Sequence, residues 1–187
     1  MLTIHVKNHD LVNAFRFIYI CTESKFFSLN LTAMGGWTVK ENFATARSGH
    51  FLTCKTGKLG IDTPPKVYAG VDDKGDVIPE NFPSELSCSA ATCEMDGCVF
   101  VFGGTDKPYG KSMNEDLYFT RDDGKNWKKI STKDPSKQFF ADVKPLPRYG
   151  ASLTFTEDKN GLVLYGGCNV MGYFRDIWIF HIDIFEN

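Results

Sequence analysis

The sequence lacks several features that would place it in a common class. Its longest apolar run, Phe17 to Cys21, is far too short to span a membrane. Its four histidines are scattered, without a chelating pair or zinc-finger spacing, so no metal site is expected. The net charge of −2 gives no general attraction to nucleic acid or anionic lipid. We therefore expect neither a nucleic-acid nor a membrane partner.

Signals for secretion and for metal-binding cysteines are also missing. The segment from Met1 to Lys7 lacks the charged start and unbroken apolar stretch of a signal peptide, so a cytoplasmic location is the default expectation. None of the six cysteines forms a Cys-x-x-Cys pair. We expect free, buried thiols, with Cys93 and Cys98 flanking a tight turn on two paired strands. A metal or disulfide cluster that includes Cys88 is the alternative.

Helical periodicity is nearly absent as well. Short apolar runs rich in Val, Ile, Phe and Tyr are separated by Gly, Asn, Asp and Pro, which is the pattern of strands and turns. The clearest hairpin signals lie at 122–125 and 158–161, because Asn and Gly tolerate the positive φ of tight turns. The sequence therefore predicts an all-β fold.

Comparison of the chain with itself reveals a repeat. The segment Cys98–Gly104 matches Gly161–Gly167, and each segment ends in a glycine doublet. A strand rich in small residues precedes each match, and a strand with a large aromatic, Tyr118 or Trp178, follows it after a loop. A tryptophan strand at Trp127 completes the order. Four-stranded units with two apolar faces must stack on neighbours, and units arranged around an axis form a β-propeller.

These motifs resemble the Kelch repeat, in which a glycine doublet ends the second strand of each blade. An aromatic residue follows in the third strand, a tryptophan in the fourth, and an Arg-x-Gly-His-like segment leads into the next blade. The resemblance rests on Trp37, Arg47, Gly49, His50, Gly103, Gly104, Tyr118, Trp127, Arg148, Gly150, Gly166, Gly167 and Trp178. It implies structural roles: glycines allow sharp turns, aromatics fill the wedge between blades, and arginines bind carbonyls and carboxylates where blades meet.

The predicted fold is a partial Kelch-type propeller of about three four-stranded blades, some incomplete, in one domain over 1–187. Its predicted parts are the end of one blade at 1–49, a degenerate blade or insertion at 50–88, the best-matched blade at 89–147, and a last, incomplete blade at 148–187. In the second part, Lys66–Gly70 is a candidate degenerate second strand in which Ala69 replaces a glycine. Because three blades are too few for a ring, either the chain is a fragment or another chain completes the ring through self-association. One option is that the strand of Trp37 supplies the fourth strand of the last blade.

The segment from Thr120 to Trp127 also looks like an Asp-box, the Ser/Thr-x-Asp-x-Gly-x-Thr-Trp hairpin of sialidases and other propellers. Thr120, Asp122, Gly124 and Trp127 match, and Asn126 stands where Thr is usual. In those proteins the hairpin is structural. The resemblance therefore predicts turn hydrogen bonds to Asp122 and no catalytic role for it.

No catalytic residues, metal ligands or cofactor motifs emerge. The few arginines leave no trio for a sialidase-like site, and no nucleophile elbow or phosphate loop is present. The loops after the glycine doublets carry the candidate binding residues, which are Lys107, Tyr109, Met171, Tyr173 and Arg175. The sequence predicts a Kelch-repeat protein-interaction module, scaffold or adaptor, without catalytic activity or cofactor. The alternative is a carbohydrate-active propeller, sialidase-like or sugar-epimerase-like.

Overall fold

The computed structural model describes residues 3–6, 17–21, 25–30, 37–42, 48–53, 66–78, 82–95, 97–130 and 144–182. Within these ranges every regular element is a β-strand. All strand pairs are antiparallel. The predicted all-β fold is therefore confirmed for the described residues, as expected for runs rich in β-branched and aromatic side chains.

The strands form three larger sheets and two hairpins. The first sheet contains β1 (Thr3–Val6), β2 (Phe17–Cys21), β3 (Lys25–Asn30) and β4 (Trp37–Asn42) in that order. A hairpin of β5 (Phe51–Thr53) and β6 (Lys66–Tyr68) follows. The second sheet contains β7 (Ala91–Met95), β8 (Cys98–Phe102), β9 (Leu117–Thr120) and β10 (Lys128–Ile130). The third sheet contains β11 (Ser152–Phe155), β12 (Gly161–Tyr165) and β15 (Ile177–His181), with a loop hairpin of β13 (Cys168–Asn169) and β14 (Gly172–Tyr173).

The first sheet differs from the prediction. The sequence predicts only the last strands of a blade in 1–49, whereas four strands lie there. The motif comparison could not find β1 and β2, because no glycine doublet precedes β3. The option that the strand of Trp37 completes the last blade is wrong, since Trp37 lies opposite Leu29 in the β3–β4 pair. The short connection between these two strands favours a local hairpin over a distant partner.

Three segments share one backbone pattern, and we name them the first repeat (48–78), the second repeat (87–130) and the third repeat (148–182). In each, a residue of the segment that leads into the first strand pairs with the residue that follows the doublet at the end of the second strand. The pairs are Ser48 with Val71, Cys88 with Thr105, and Tyr149 with Cys168. Each pair exchanges two backbone hydrogen bonds of 2.9 to 3.1 Å. The repeat seen in sequence is therefore a repeat of backbone geometry.

The glycine doublets have the same left-handed conformation in all three repeats. The φ values are 58° and 91° at Ala69-Gly70, 71° and 105° at Gly103-Gly104, and 68° and 84° at Gly166-Gly167. Ala69 thus takes the conformation of the first glycine despite its Cβ, which L-residues adopt at a cost. Lys66–Gly70 has the geometry of a second strand with its doublet.

Hydrogen bonds also join the lead-in segments of successive repeats. Gly49, Ser89 and Gly150 occupy the same position in the three repeats and have φ values of 69°, 57° and 65°. The N–H of Ser89 donates to the carbonyl of Gly49 over 2.7 Å, and the N–H of Gly150 donates to the carbonyl of Ser89 over 2.8 Å. One row of hydrogen bonds therefore crosses all three repeats.

Apolar cores lie between neighbouring repeats. Val99 and Val101 of β8 pack against the first repeat, in a core with Phe51, Tyr68 and Ala69. The alternate residues of β8 face the other way. Phe100 and Phe102 join a core with Ala91, Leu117, Leu153, Leu162 and Leu164. The second sheet thus has two apolar faces, as the alternation of side chains along a strand allows.

The hairpin between β9 and β10 has the hydrogen bonds of an Asp-box. Asp122 Oδ1 accepts the backbone N–H of Asn126 over 2.9 Å and the Thr120 hydroxyl over 2.8 Å. Asp122 Oδ2 accepts the side-chain amide of Asn126 over 2.6 Å. These bonds, those from Asn126 first, lower the pKa of Asp122 to about 2. Asp122 thus accepts hydrogen bonds within the turn, as the Asp-box resemblance implies.

The tip of this hairpin is fixed to the first repeat. The Tyr68 hydroxyl donates to the Asp123 carbonyl over 2.6 Å. The Trp127 ring meets the rings of Phe51, Tyr68 and Phe82 edge-on, at centroid distances of 6.3, 6.0 and 4.9 Å. The Asp-box hairpin therefore helps to hold two repeats together.

We expect Tyr68→Phe to lower the free energy of unfolding by about 1 kcal/mol, because the substitution removes the hydrogen bond to Asp123 and keeps the ring. Urea unfolding followed by tryptophan fluorescence measures this loss. The matched control is Tyr109→Phe, since the Tyr109 side chain is 88% exposed. Equal stability of Tyr68→Phe and the unsubstituted protein would show that this bond does not hold the hairpin.

Candidate functional site

Three loops follow the ends of the second strands, and each is closed by antiparallel backbone pairing. They connect Val71 with Val77, Thr105 with Met113, and Cys168 with Tyr173. The sequence predicts the second and third of these as binding loops. It misses the equivalence of the first, because the doublet before that loop is degenerate.

The candidate binding residues are exposed. Tyr109, Met171 and Tyr173 have exposed fractions of 88%, 86% and 90%. Lys107 and Arg175 are also exposed, and so is Val170, which the sequence reading did not select. Large apolar and aromatic side chains in such contact with water are available to a partner.

Tyr109 occupies a backbone position that normally requires glycine. The N–H of Gly110 donates to the carbonyl of Lys107 over 2.8 Å, and Tyr109 has a φ of 60°. With Pro108 before it, Tyr109 is the third residue of a type II turn, where a positive φ favours Gly or Asn. A bulky side chain in this conformation costs on the order of 1–3 kcal/mol, and such residues cluster at functional sites.

The loop hairpin of β13 and β14 is ordered by Asn169. The Asn169 Oδ1 accepts the N–H of Met171 over 2.8 Å, and Asn169 Nδ2 donates to the Pro147 carbonyl over 3.3 Å. Cys168 lies opposite Tyr173 across the hairpin. Met171 and Tyr173 are therefore presented on a short, internally bonded hairpin tied to the lead-in segment.

Tyr149 lies between the second and third loops. Its side chain hydrogen-bonds the Cys168 thiol, which, with partial burial and the nearby hydroxyls of Tyr173 and Tyr109, raises the pKa of Tyr149 to about 12. Tyr109 and Tyr173 thus both lie within electrostatic range of Tyr149. We name Tyr109, Tyr149, Val170, Met171 and Tyr173 the loop patch. Its tyrosines offer aromatic rings and hydrogen-bonding hydroxyls.

Arg148, by contrast, has a structural site. Its side chain is fully buried, and its guanidinium forms a bidentate pair with Asp176 over 2.6 and 2.8 Å. It also donates to the carbonyls of Gly166 and Leu146 over 2.9 and 3.0 Å, and it stacks on the Phe174 ring at 4.0 Å. The guanidinium holds the pKa of Asp176 at about 2. Arg148 thus binds carbonyls and a carboxylate, the contacts that the Kelch resemblance implies for it.

An aspartate two residues before the third-strand aromatic was not assigned a role from sequence. Trp178 Nε1 donates to Asp176 Oδ2 over 2.6 Å, and the Tyr118 hydroxyl donates to Asp116 Oδ2 over 3.3 Å. The signal was present, because Asp precedes the aromatic by two residues in both runs. In the second repeat, where Ser87 stands at the position of Arg148, Asp116 pairs with Lys129 over 2.8 Å.

The other lead-in and cysteine predictions are partly resolved. His50 is buried, while Arg47 lies outside the described residues. Cys93 and Cys98 lie on the paired strands β7 and β8, as predicted, and both are free thiols. Burial raises the pKa of Cys93 to about 12, so this thiol stays protonated at neutral pH.

Within the described ranges, no group of His, Cys, Asp and Glu side chains could hold a metal ion. The described part of the chain also contains no helix long and apolar enough to cross a membrane. Hydrogen bonds lower the pKa of Asp122, Asp158 and Asp176. These carboxylates are ionised at neutral pH, which does not suit a general acid.

No protein-family model and no curated protein matches the chain. Among solved structures, the one described as "Structure of YjhT" matches at 15% identity with a TM-score of 0.35. The alignment covers 90% of this chain and 34% of that chain, so this chain spans about a third of its length. A likeness at this TM-score and identity carries no functional information.

Proposed function

We propose that this chain is part of a Kelch-type β-propeller that binds another protein and does no chemistry. The supporting observations are the three repeats with one backbone pattern, the apolar cores between them, and the Arg148 pair with Asp176. Such an array is a rigid support for loops that project from one end of its strands.

The binding surface in this proposal is the loop patch, and the conformation of Tyr109 is the observation that carries it. A tyrosine at 88% exposure has no packing reason to occupy a glycine position at φ 60°. Tyrosine gives a partner a large apolar ring and a hydroxyl at low entropic cost, and it is enriched at interface hot spots. The patch combines exposed apolar and aromatic side chains, so it suits a partly apolar protein surface.

The test is Tyr109→Gly, which separates binding from folding. We expect stability to stay within about 1 kcal/mol of the original, because relief of the left-handed strain offsets the entropy that glycine adds to the unfolded chain. We expect capture of the partner from an extract of the expressing cells to fall at least tenfold, as for loss of a hot spot. Quantitative mass spectrometry of the captured proteins, with unfolding curves for each variant, measures both effects.

Two further variants make the result specific. Tyr173→Ser should reduce capture of the same protein, because Tyr173 belongs to the loop patch. Lys159→Asn is the control, since Lys159 lies in the exposed turn before β12, away from the loops, and its φ of 62° suits Asn. Capture by Tyr109→Gly and Tyr173→Ser that equals capture by Lys159→Asn and by the unsubstituted protein would contradict the proposal. Glycans that bind in a Tyr109-dependent way, without a protein partner, would favour the carbohydrate-active alternative.

A further inference from the structure

An apolar face of the third sheet is open to solvent. Tyr165, Ile177 and Ile179 on this face are 53%, 65% and 57% exposed, and Val163 is partly buried. Two cross-strand pairs form the face, since Tyr165 lies opposite Ile177 and Val163 lies opposite Ile179. We name these four residues the free face.

Three of the four equivalent positions are buried in the second repeat, and the fourth, Phe119, is partly buried. There the equivalent cross-strand pairs are Phe102 with Leu117 and Phe100 with Phe119. Phe102, Leu117 and Phe100 are only 6%, 4% and 7% exposed, because they pack against the aliphatic side chains of the third repeat. The free face thus continues the interface between the second and third repeats by one more step, and none of the described sheets covers it.

The sheets form a row, and the sheets at its two ends are the surfaces through which a second copy could extend it. The first sheet contacts the first repeat through β1 and β5, and the second repeat packs between the first and third repeats. The first sheet and the third repeat are therefore the two ends of the row. A second copy can bring its own end sheet of antiparallel strands, β1 to β4, to the free face.

We propose that a second copy of this chain docks its first sheet, β1 to β4, against the free face. This inference rests on the proposed propeller arrangement and extends it. Head-to-tail docking of two copies places their sheets in one ring, and a ring that closes gives a dimer without open ends. The row in each copy contains four units, which are the first sheet, the β5–β6 hairpin, the second sheet and the third sheet. Two copies would supply about eight units, the upper end of the usual range of four to eight blades.

The composition of the face suggests a reversible contact. At the positions of Ala91 and Cys93 in β7, the third sheet has Ser152 and Thr154, which are exposed and lie opposite Tyr165 and Val163. Hydroxyls beside an apolar centre are typical of interfaces that form and dissociate. We therefore expect a dimer whose population depends on protein concentration.

Light scattering after size exclusion, over a range of concentrations, tests the proposal on the full chain. We expect the mass to rise with concentration towards twice the 21.0 kDa of one chain. Ile177→Asp and Ile179→Asp, each at an exposed position that tolerates charge in the monomer, should raise the dimer dissociation constant at least tenfold. Leu146→Asp is the matched control, because Leu146 is 52% exposed and lies outside the free face.

A mass of one chain at every concentration up to several hundred micromolar would overturn the proposal, and so would unchanged dimerisation of both free-face variants. Failure of the proposed function gives a different result, because Tyr109→Gly and Tyr173→Ser leave the free face intact. Loss of partner capture in those variants with no dimer in any protein would remove only the docking inference. Dimerisation without any Tyr109-dependent partner would remove only the binding proposal.

Discussion

Arg148→Met should lower the free energy of unfolding by about 3–5 kcal/mol, the usual cost of removing one partner from a buried ion pair. The substitution leaves the carbonyls of Gly166 and Leu146 without their donor, and it leaves Asp176 without its counter-ion. The Asp176 side chain is 34% exposed and can regain water, which places the effect towards the lower end. Urea unfolding at neutral pH measures it.

Two comparison variants show where the loss arises. Arg121→Met is the matched control, since Arg121 is exposed and its guanidinium carbon lies 5.9 Å from the centroid of the Phe119 ring. It should change stability by less than about 0.5 kcal/mol. Arg148→Lys keeps the charge and loses the bidentate geometry, so it should retain only part of the stability. A loss below about 1 kcal/mol for Arg148→Met would mean that this pair does not organise the third repeat.

The pH dependence of the same measurement identifies the partner. The pKa of Asp176 is about 2 in the folded chain, below its ordinary value of 3.8, so the folded state favours the ionised carboxylate. This contribution to stability is complete above the ordinary pKa and disappears as the pH falls from 3.8 towards 2. Arg148→Met and Asp176→Asn should both flatten the stability curve in this interval. The lowered pKa values of Asp122 and Asp158 contribute to the slope that remains.

Much of the repeat geometry could be predicted from the sequence, because the geometry depends on residue types that have few substitutes. Glycine doublets mark left-handed backbone, and Gly103 and Gly166 have that conformation. Asp122 and Gly124 predict a hairpin whose bonds are local, within a few residues. Such features need no knowledge of distant parts of the chain.

The features that escaped prediction depend on contacts between distant residues. Asp176 was visible in the aligned runs, yet its role needs Arg148, which lies 28 residues earlier. The turn that makes Tyr109 notable becomes evident only from its φ. The degenerate doublet at Ala69 left the first repeat undecided between a blade and an insertion, because alanine is rarely left-handed and weakens the motif match.

The free face was also invisible in the sequence. Ile177 and Ile179 look like ordinary core residues of a strand, and alternation alone cannot say which of two faces has a neighbour. Only the comparison of their exposure with that of Leu117 in the second repeat separates the two cases. Sequence therefore predicted the design of each unit, and the structure was needed to show which faces of the units are covered.

Gly103→Ala and Gly166→Ala form a matched pair. The difference between their losses in free energy of unfolding measures the steric cost of a Cβ against a neighbouring repeat. The two glycines hold the same position in their repeats and have φ values of 71° and 68°. A Cβ at Gly103 would lie 2.3 Å from the Arg148 carbonyl oxygen of the next repeat, whereas a Cβ at Gly166 would meet only the Phe174 oxygen, at 3.6 Å. The backbone strain is thus equal, and the steric clash is confined to Gly103.

We expect Gly166→Ala to cost about 1–2 kcal/mol, the penalty for a left-handed L-residue. Gly103→Ala should cost a further 1–3 kcal/mol or so, because the clash involves backbone on both sides. The Arg148 oxygen cannot retreat freely, since it accepts the N–H of Gly104 over 2.9 Å. Urea unfolding at a protein concentration low enough to keep the chain monomeric gives both values. Equal losses would show that the second and third repeats do not meet at this glycine, and the side-by-side packing of repeats would then have to be abandoned.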